Sequence, residues 1–226
     1  MAGAASVTTA AVVTAGLLLA PASQAAVSRS IQLTGTQLAS ALLPTSYFPP
    51  GYKVEKFGDY NSGRRLEQGP ARYHLATFSC QKYLLNGLPH TGLGETATAD
   101  IVINNERLGA YQQTVWQFSS SSRAATFYQQ MYAFTARCRT IAVKAGTVTA
   151  GLTTQSLDTT RLGGRHAFQA IQTVTATGFP ATINDTLVTV AGTDVFLIDA
   201  VGQKPPTKPA PATALLHLIT LVQDFR

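Results

Sequence analysis

Few side chains in this 226-residue sequence are of a type and spacing that carries covalent, acid–base or metal chemistry. Ser79 and Lys82 stand in the S-x-x-K pattern, which sets a serine nucleophile one helical turn before a lysine base. Lys144-Ala145-Gly146 resembles its K-T-G companion, but the hydroxyl residue is missing and no S-x-N follows Ser79. Ser79 and Lys82 read as solvated helix residues flanking a structural cysteine. The histidines, His74, His90, His166 and His217, show no helix-face metal spacing and no H-E-x-x-H. Neither a metal nor a cofactor is expected. G-x-S-x-G is absent, and Gly92-Leu93-Gly94 lacks the third glycine of a dinucleotide loop. Asp194 and Asp199 lie five apart on a strand and face opposite sides, which argues against a carboxylate dyad. No catalytic motif is complete, so the chain reads as a non-enzyme.

Cys80 and Cys138 are the two cysteines. Ala124, Phe127, Met131, Phe134 and Cys138 recur at steps of three and four, a helix from Ser120 or Ser121 with the thiol on its apolar face. Ala76, Cys80 and Leu84 repeat the pattern in a shorter helix, about 76–85, ended by Asn86-Gly87. Two thiols on two buried faces predict one disulfide in an oxidising compartment. The N-terminus points to the same compartment. Ala10–Ala20 is an apolar run followed by Pro21 and small residues, the pattern of a secretory signal over 1–25. The expected mature chain, 26–226, is one extracytoplasmic domain with no membrane-spanning segment. A net charge of +6 comes from dispersed cations, and charged residues make up 12%, about half the usual share. That excludes a nucleic-acid partner.

The rest of the pattern gives the scaffold. Thr36–Leu43 reads as a helix capped by Thr36 and stopped by Pro44. Strands are expected over 52–57, 97–103, 110–118, 141–149, 153–158, 165–175, 182–190 and 194–201. A Pro-rich linker, 203–211, leads to an amphipathic helix over 212–224. The fold class is α+β, a twisted antiparallel sheet with helices packed on one face. Alternation then assigns the wetter face. Thr114, Trp116 and Phe118 share one side of their strand, and Tyr111, Gln113, Val115 and Gln117 the other. Tyr111, Gln113, Gln117, Arg165, Gln169 and Thr173 are the candidate ligand-binding residues. One aromatic platform, three amides, a hydroxyl and a cation suit a sugar, a polyol or an anionic headgroup.

Several stretches together resemble a family. They are Leu42-Leu43-Pro44 with Phe48-Pro49-Pro50-Gly51-Tyr52, Cys80 in its short helix, Val115-Trp116-Gln117-Phe118 leading into the helix that ends at Cys138, and the closing amphipathic helix. Over about residues 33–226 the chain resembles the PknH-like extracellular sensor domains of actinobacteria, which occur on receptor kinases and as stand-alone exported proteins. The resemblance implies a secreted ligand-binding or sensor module of the cell envelope, without catalysis, that signals through an envelope receptor. The chain departs from the family in lacking a second cysteine pair. The alternative reading is a secreted hydrolase acting on cell-wall or polysaccharide substrates.

Overall fold

The computed structural model describes residues 31–59, 72–88 and 92–226. The signal segment 1–25 and His90 lie outside them. The strands are β1 (Lys53–Asp59), β2 (Ala97–Asn105), β3 (Gly109–Gln117), β4 (Thr140–Ala145), β5 (Val148–Leu162), β6 (Arg165–Ala176), β7 (Phe179–Ala191) and β8 (Asp194–Gly202). All join in one antiparallel sheet in the order β1-β2-β3-β8-β7-β6-β5-β4. Two meanders, β1 to β3 and β4 to β8, are thus fused by pairing of β8 against β3. The helices are α1 (Gly35–Ser40), α2 (Cys80–Asn86), α3 (Ser121–Arg137) and α4 (Pro211–Asp224).

Local chemistry sets the helix ends. Thr34, rather than Thr36, caps α1 in a reciprocal box with Gln37. Ser79 caps α2 by accepting the amide of Lys82, and Ser120 caps α3 by accepting that of Arg123. The S-x-x-K serine is therefore a helix cap, and Lys82 is exposed. Gly87, at φ 73°, closes α2 in a conformation that disfavours a side chain. Pro211 starts α4, where its missing N–H costs nothing.

The helices cover both faces of the sheet, not one. On one face α1 and α4 bury Leu38, Leu215, Leu218 and Val222 against Tyr111, Val115, Phe196 and Ile198. On the other, α3 buries Phe127, Tyr128, Met131 and Phe134 with Trp116, Phe168, Val188 and Leu197. The cause lies in β8. Asp194 to Ile198 is buried without a break, so both sides of the strand need cover. The unbroken apolar run Val195-Phe196-Leu197-Ile198 is the sequence sign of this.

The second difference is at β4 and β5. The chain turns at Gly146, φ 61°, and β5 then runs unbroken through Gly151, where two separate strands were expected. β4 pairs with only the first part of β5, from Val148 to Thr153. Among the described residues no strand pairs with the outer edge of 155–162.

Cys80 and Cys138 are joined by a disulfide, with Cα atoms 5.4 Å apart. It ties the start of α2 to the end of α3. Arg137 reinforces the same corner, its guanidinium donating to the carbonyls of Leu75 at 2.9 Å and Phe78 at 2.7 Å.

Candidate ligand-binding site

The six candidate residues do share one face of the sheet, as alternation requires. Gln113 opposes Ile101 and Ile198, Gln169 opposes Leu187, and Thr173 opposes Ile183. But this is the face that α1 and α4 cover, and the expectation of a wet surface is corrected there. Tyr111, Gln113 and Gln117 are each 0% exposed. Gln113 holds the chain just beyond α1, accepting from the amide of Leu43 at 2.9 Å and donating to its carbonyl at 3.1 Å. Tyr111 donates to the carbonyl of Pro209 at 2.7 Å, which pins the Pro-rich linker to the sheet. Burial pushes its phenol well above the ordinary range. Gln117 is buried opposite Asp194. Arg226 reaches Asp194 at 2.5 Å, and burial nevertheless raises that carboxyl.

The other three candidates are partly buried and held by neighbours. Gln169 donates to Asp185 at 2.6 Å, and Thr173 accepts from Gln155 at 2.7 Å. Arg165 reaches the carbonyl of Gly163 at 3.4 Å. The six residues are not gathered round a common space. Alternation gives which residues share a side, but not which side the helices choose, so it does not tell a solvated amide from a buried one.

A cavity of about 450 Å³ lies instead on the opposite face, between the sheet and α2. Strand pairing builds its floor in rows. Asp100, Thr114 and Leu197 form one row across β2, β3 and β8. Val102, Gln112, Asp199 and Thr186 form the next, reaching β7. Val201 and Asn184 follow, then Thr182 and Val174. Trp116 closes one end, and Tyr83, Leu84 and Leu88 form the roof. The disulfide anchors that roof at its root, and the Tyr83 ring packs edge-on to Phe134 at 5.2 Å between centroids. Its hydroxyl reaches Gln172 at 3.4 Å.

The polar groups of the cavity are unevenly satisfied. Thr186 donates to Asp199 at 2.9 Å, yet burial lifts this carboxyl to about 6, with Asp185 adding repulsion. The indole Nε1 of Trp116 and the Oδ1 of Asn184 are buried without a hydrogen-bond partner. Such atoms normally cost about 1–3 kcal/mol each. The polar residues Asp100, Gln112, Thr114, Asn184, Thr186 and Asp199 were not among the sequence candidates. Their signal was available: Asp100 stands between Ala99 and Ile101, and Asp199 between Ile198 and Ala200, single polar residues inside apolar strand runs.

No group of three or more histidine, cysteine or carboxylate side chains able to hold a metal occurs among the described residues. No helix among them is long and apolar enough to cross a membrane. No family model matches the sequence, and no curated protein matches it. Among solved structures, the fold is similar to the crystal structure of the extracellular domain of PknH from Mycobacterium tuberculosis. The TM-score is 0.58 at 15% identity, over 85% of this chain and 98% of that one.

Proposed function

We propose that the chain is an extracytoplasmic ligand-binding module of the sensor type, which holds a small molecule in the cavity beneath α2 without transforming it. The observation that carries this is the roofed cavity, whose floor sets Gln112, Thr114, Thr186 and Asp199 among apolar residues. Concave sites with apolar walls and a few convergent polar groups are the usual form of small-molecule sites. The disulfide supports an oxidising compartment, and the likeness to a domain described as extracellular supports the same placement. Export with loss of residues 1–25 is part of this reading, as is signalling through an envelope partner. Of the ligand chemistries suggested by the sequence, a hydroxylated molecule fits the cavity better than an anion, since the Asp199 carboxyl on its wall is held by a neutral donor, Thr186.

Trp116 is the single tryptophan, so its emission reports on the cavity directly. Sugars, polyols, amines and lipid headgroups are titrated into the purified mature chain, with mass spectrometry of the recovered ligand. A saturable change in emission with ligand recovered intact is expected. A cleaved product lost on replacing one cavity residue would establish the hydrolase instead. One observation favours that second reading: a carboxyl poised near 6 beside a cavity resembles a general acid. Against it, Asp100 and Asp199 stand two strands and two residues apart in the register, so they are not direct cross-strand neighbours.

A further inference from the structure

The β4–β5 and β6–β7 turns stand side by side at one end of the sheet. Each is a two-residue turn with a glycine at positive φ, Gly146 at 61° and Gly178 at 84°. Thr177 joins them. Its amide donates to the carbonyl of Thr149 at 3.0 Å, and its hydroxyl oxygen accepts from the amide of Thr149 at 3.1 Å. The two tips are thus bound into one prominence.

Register puts the apolar side chains of the tips on one side. Phe179 opposes Ala176, Ala176 opposes Ala150, and Val148 stands two residues before Ala150. Phe179 is 73% exposed, the most exposed large apolar side chain among the described residues, and Val148 is 43% exposed. Cations flank the pair. Lys144 opposes Thr149 on the other side of the tip, and Lys204 follows the end of β8 beside β7; both are exposed. No acidic residue occurs in 139–157, 159–184 or 200–223, so these stretches carry nothing to offset the lysines.

The partner must take an apolar tip and positive charge together. A stable protein interface buries about 800 Å² on each partner, which two side chains on a hairpin tip do not approach. An anionic polymer would meet the lysines and leave the phenyl ring in water. A bilayer takes both: apolar side chains enter the boundary between headgroups and acyl chains, and lysine stems lie along it with their charges among the headgroups. We propose that the joined tips dock on an anionic lipid bilayer, Phe179 and Val148 entering its interface and Lys144 and Lys204 meeting its headgroups. This surface shares no residue with the lining of the cavity beneath α2, so its failure would leave that binding site untouched.

The test is co-sedimentation of the purified chain with vesicles of phosphatidylcholine alone and of phosphatidylcholine with phosphatidylglycerol. The anionic vesicles should bind it more tightly, and added salt should weaken that binding. Phe179→Ser should weaken it about tenfold. Lys144→Ala combined with Lys204→Ala should weaken it by about tenfold or more, with no change on the neutral vesicles. Phe179→Trp should keep the binding and add an emission that shifts to the blue on vesicles. Circular dichroism checks that these exposed positions leave the fold intact.

No binding to either vesicle, or wild-type binding in Phe179→Ser and in the double lysine variant, would overturn the proposal. Loss in the lysine variant with none in Phe179→Ser would overturn insertion and make the partner an anionic surface of any kind. Self-association without vesicles that Phe179→Ser abolishes would make the occupant a second copy of the chain, and the bilayer reading would fall.

Discussion

Gln113 illustrates how a residue's type can be read correctly and its surroundings missed. Its amide closes both backbone groups of Leu43 in a fully buried position. Gln113→Ala should therefore lower stability by about 2–4 kcal/mol in urea titration, since two buried backbone groups lose their partners. A loss below about 0.5 kcal/mol, the level of a solvated position, would show that the contact is not structural. Asp199 behaves in the opposite sense. Its folded-state carboxyl is raised to about 6, against an ordinary value near 4. Between those pH values the folded chain keeps the proton and the unfolded chain has lost it. Stability should fall as pH rises through that window, by about 2–3 kcal/mol from this residue. Asp199→Asn should flatten the fall and raise the melting temperature at neutral pH, without abolishing the slope, because Asp194 is shifted in the same direction. If melting temperatures at pH 4 and pH 7 differed equally in both proteins, the carboxyl would not be strained by burial. Sequence alternation separated Asp194 from Asp199 correctly. What it lacked was the position of the covering helices, which depends on contacts far apart in the chain.

Among the elements, the strands of the first meander and the long helix to Cys138 were legible because their periodicities are clean. The two thiols likewise announced their own pairing by lying on apolar helix faces. The break expected at 150–152 does not occur. Gly151 reads as a turn residue, but it sits inside β5, and the turn falls at Gly146. α2 matters most for function. It is a short helix whose N-terminus is bonded to α3 and whose next turn roofs the cavity. Replacing Cys80 and Cys138 together by Ala should cost about 2–5 kcal/mol, measured by thermal or urea unfolding. It should also weaken any ligand that moves Trp116 emission, because the roof loses its anchor. Wild-type affinity in the double variant would show that packing of Tyr83 against Phe134 suffices to hold α2.

At the scale of the whole molecule, a single sheet divides two apolar cores, each roofed by its own helices. The central strands β3 and β8 contribute to both, so neither core can dissolve while the other stays intact. Unfolding should be one cooperative transition, with Trp116 emission and the near-ultraviolet signal of the tyrosines beside Tyr111 changing at the same urea concentration. Separated midpoints would mean that the two faces are independent units. The fusion of β3 with β8 was not readable from local pattern, since it joins segments separated by the whole second meander. Among the described residues the same topology leaves one long flank unpaired: from 155 to 162, β5 offers its backbone donors and acceptors outward past the end of β4. Sheet flanks of this kind recruit foreign strands and seed fibrils. Asp158 and Arg161, both exposed there, place opposite charges on opposite sides of the strand. They act as gatekeepers, making an incoming apolar strand bury a charge whichever way it lies. Among the described residues, these two side chains, which take no part in the core, are what makes the unfinished flank a poor template for a second strand.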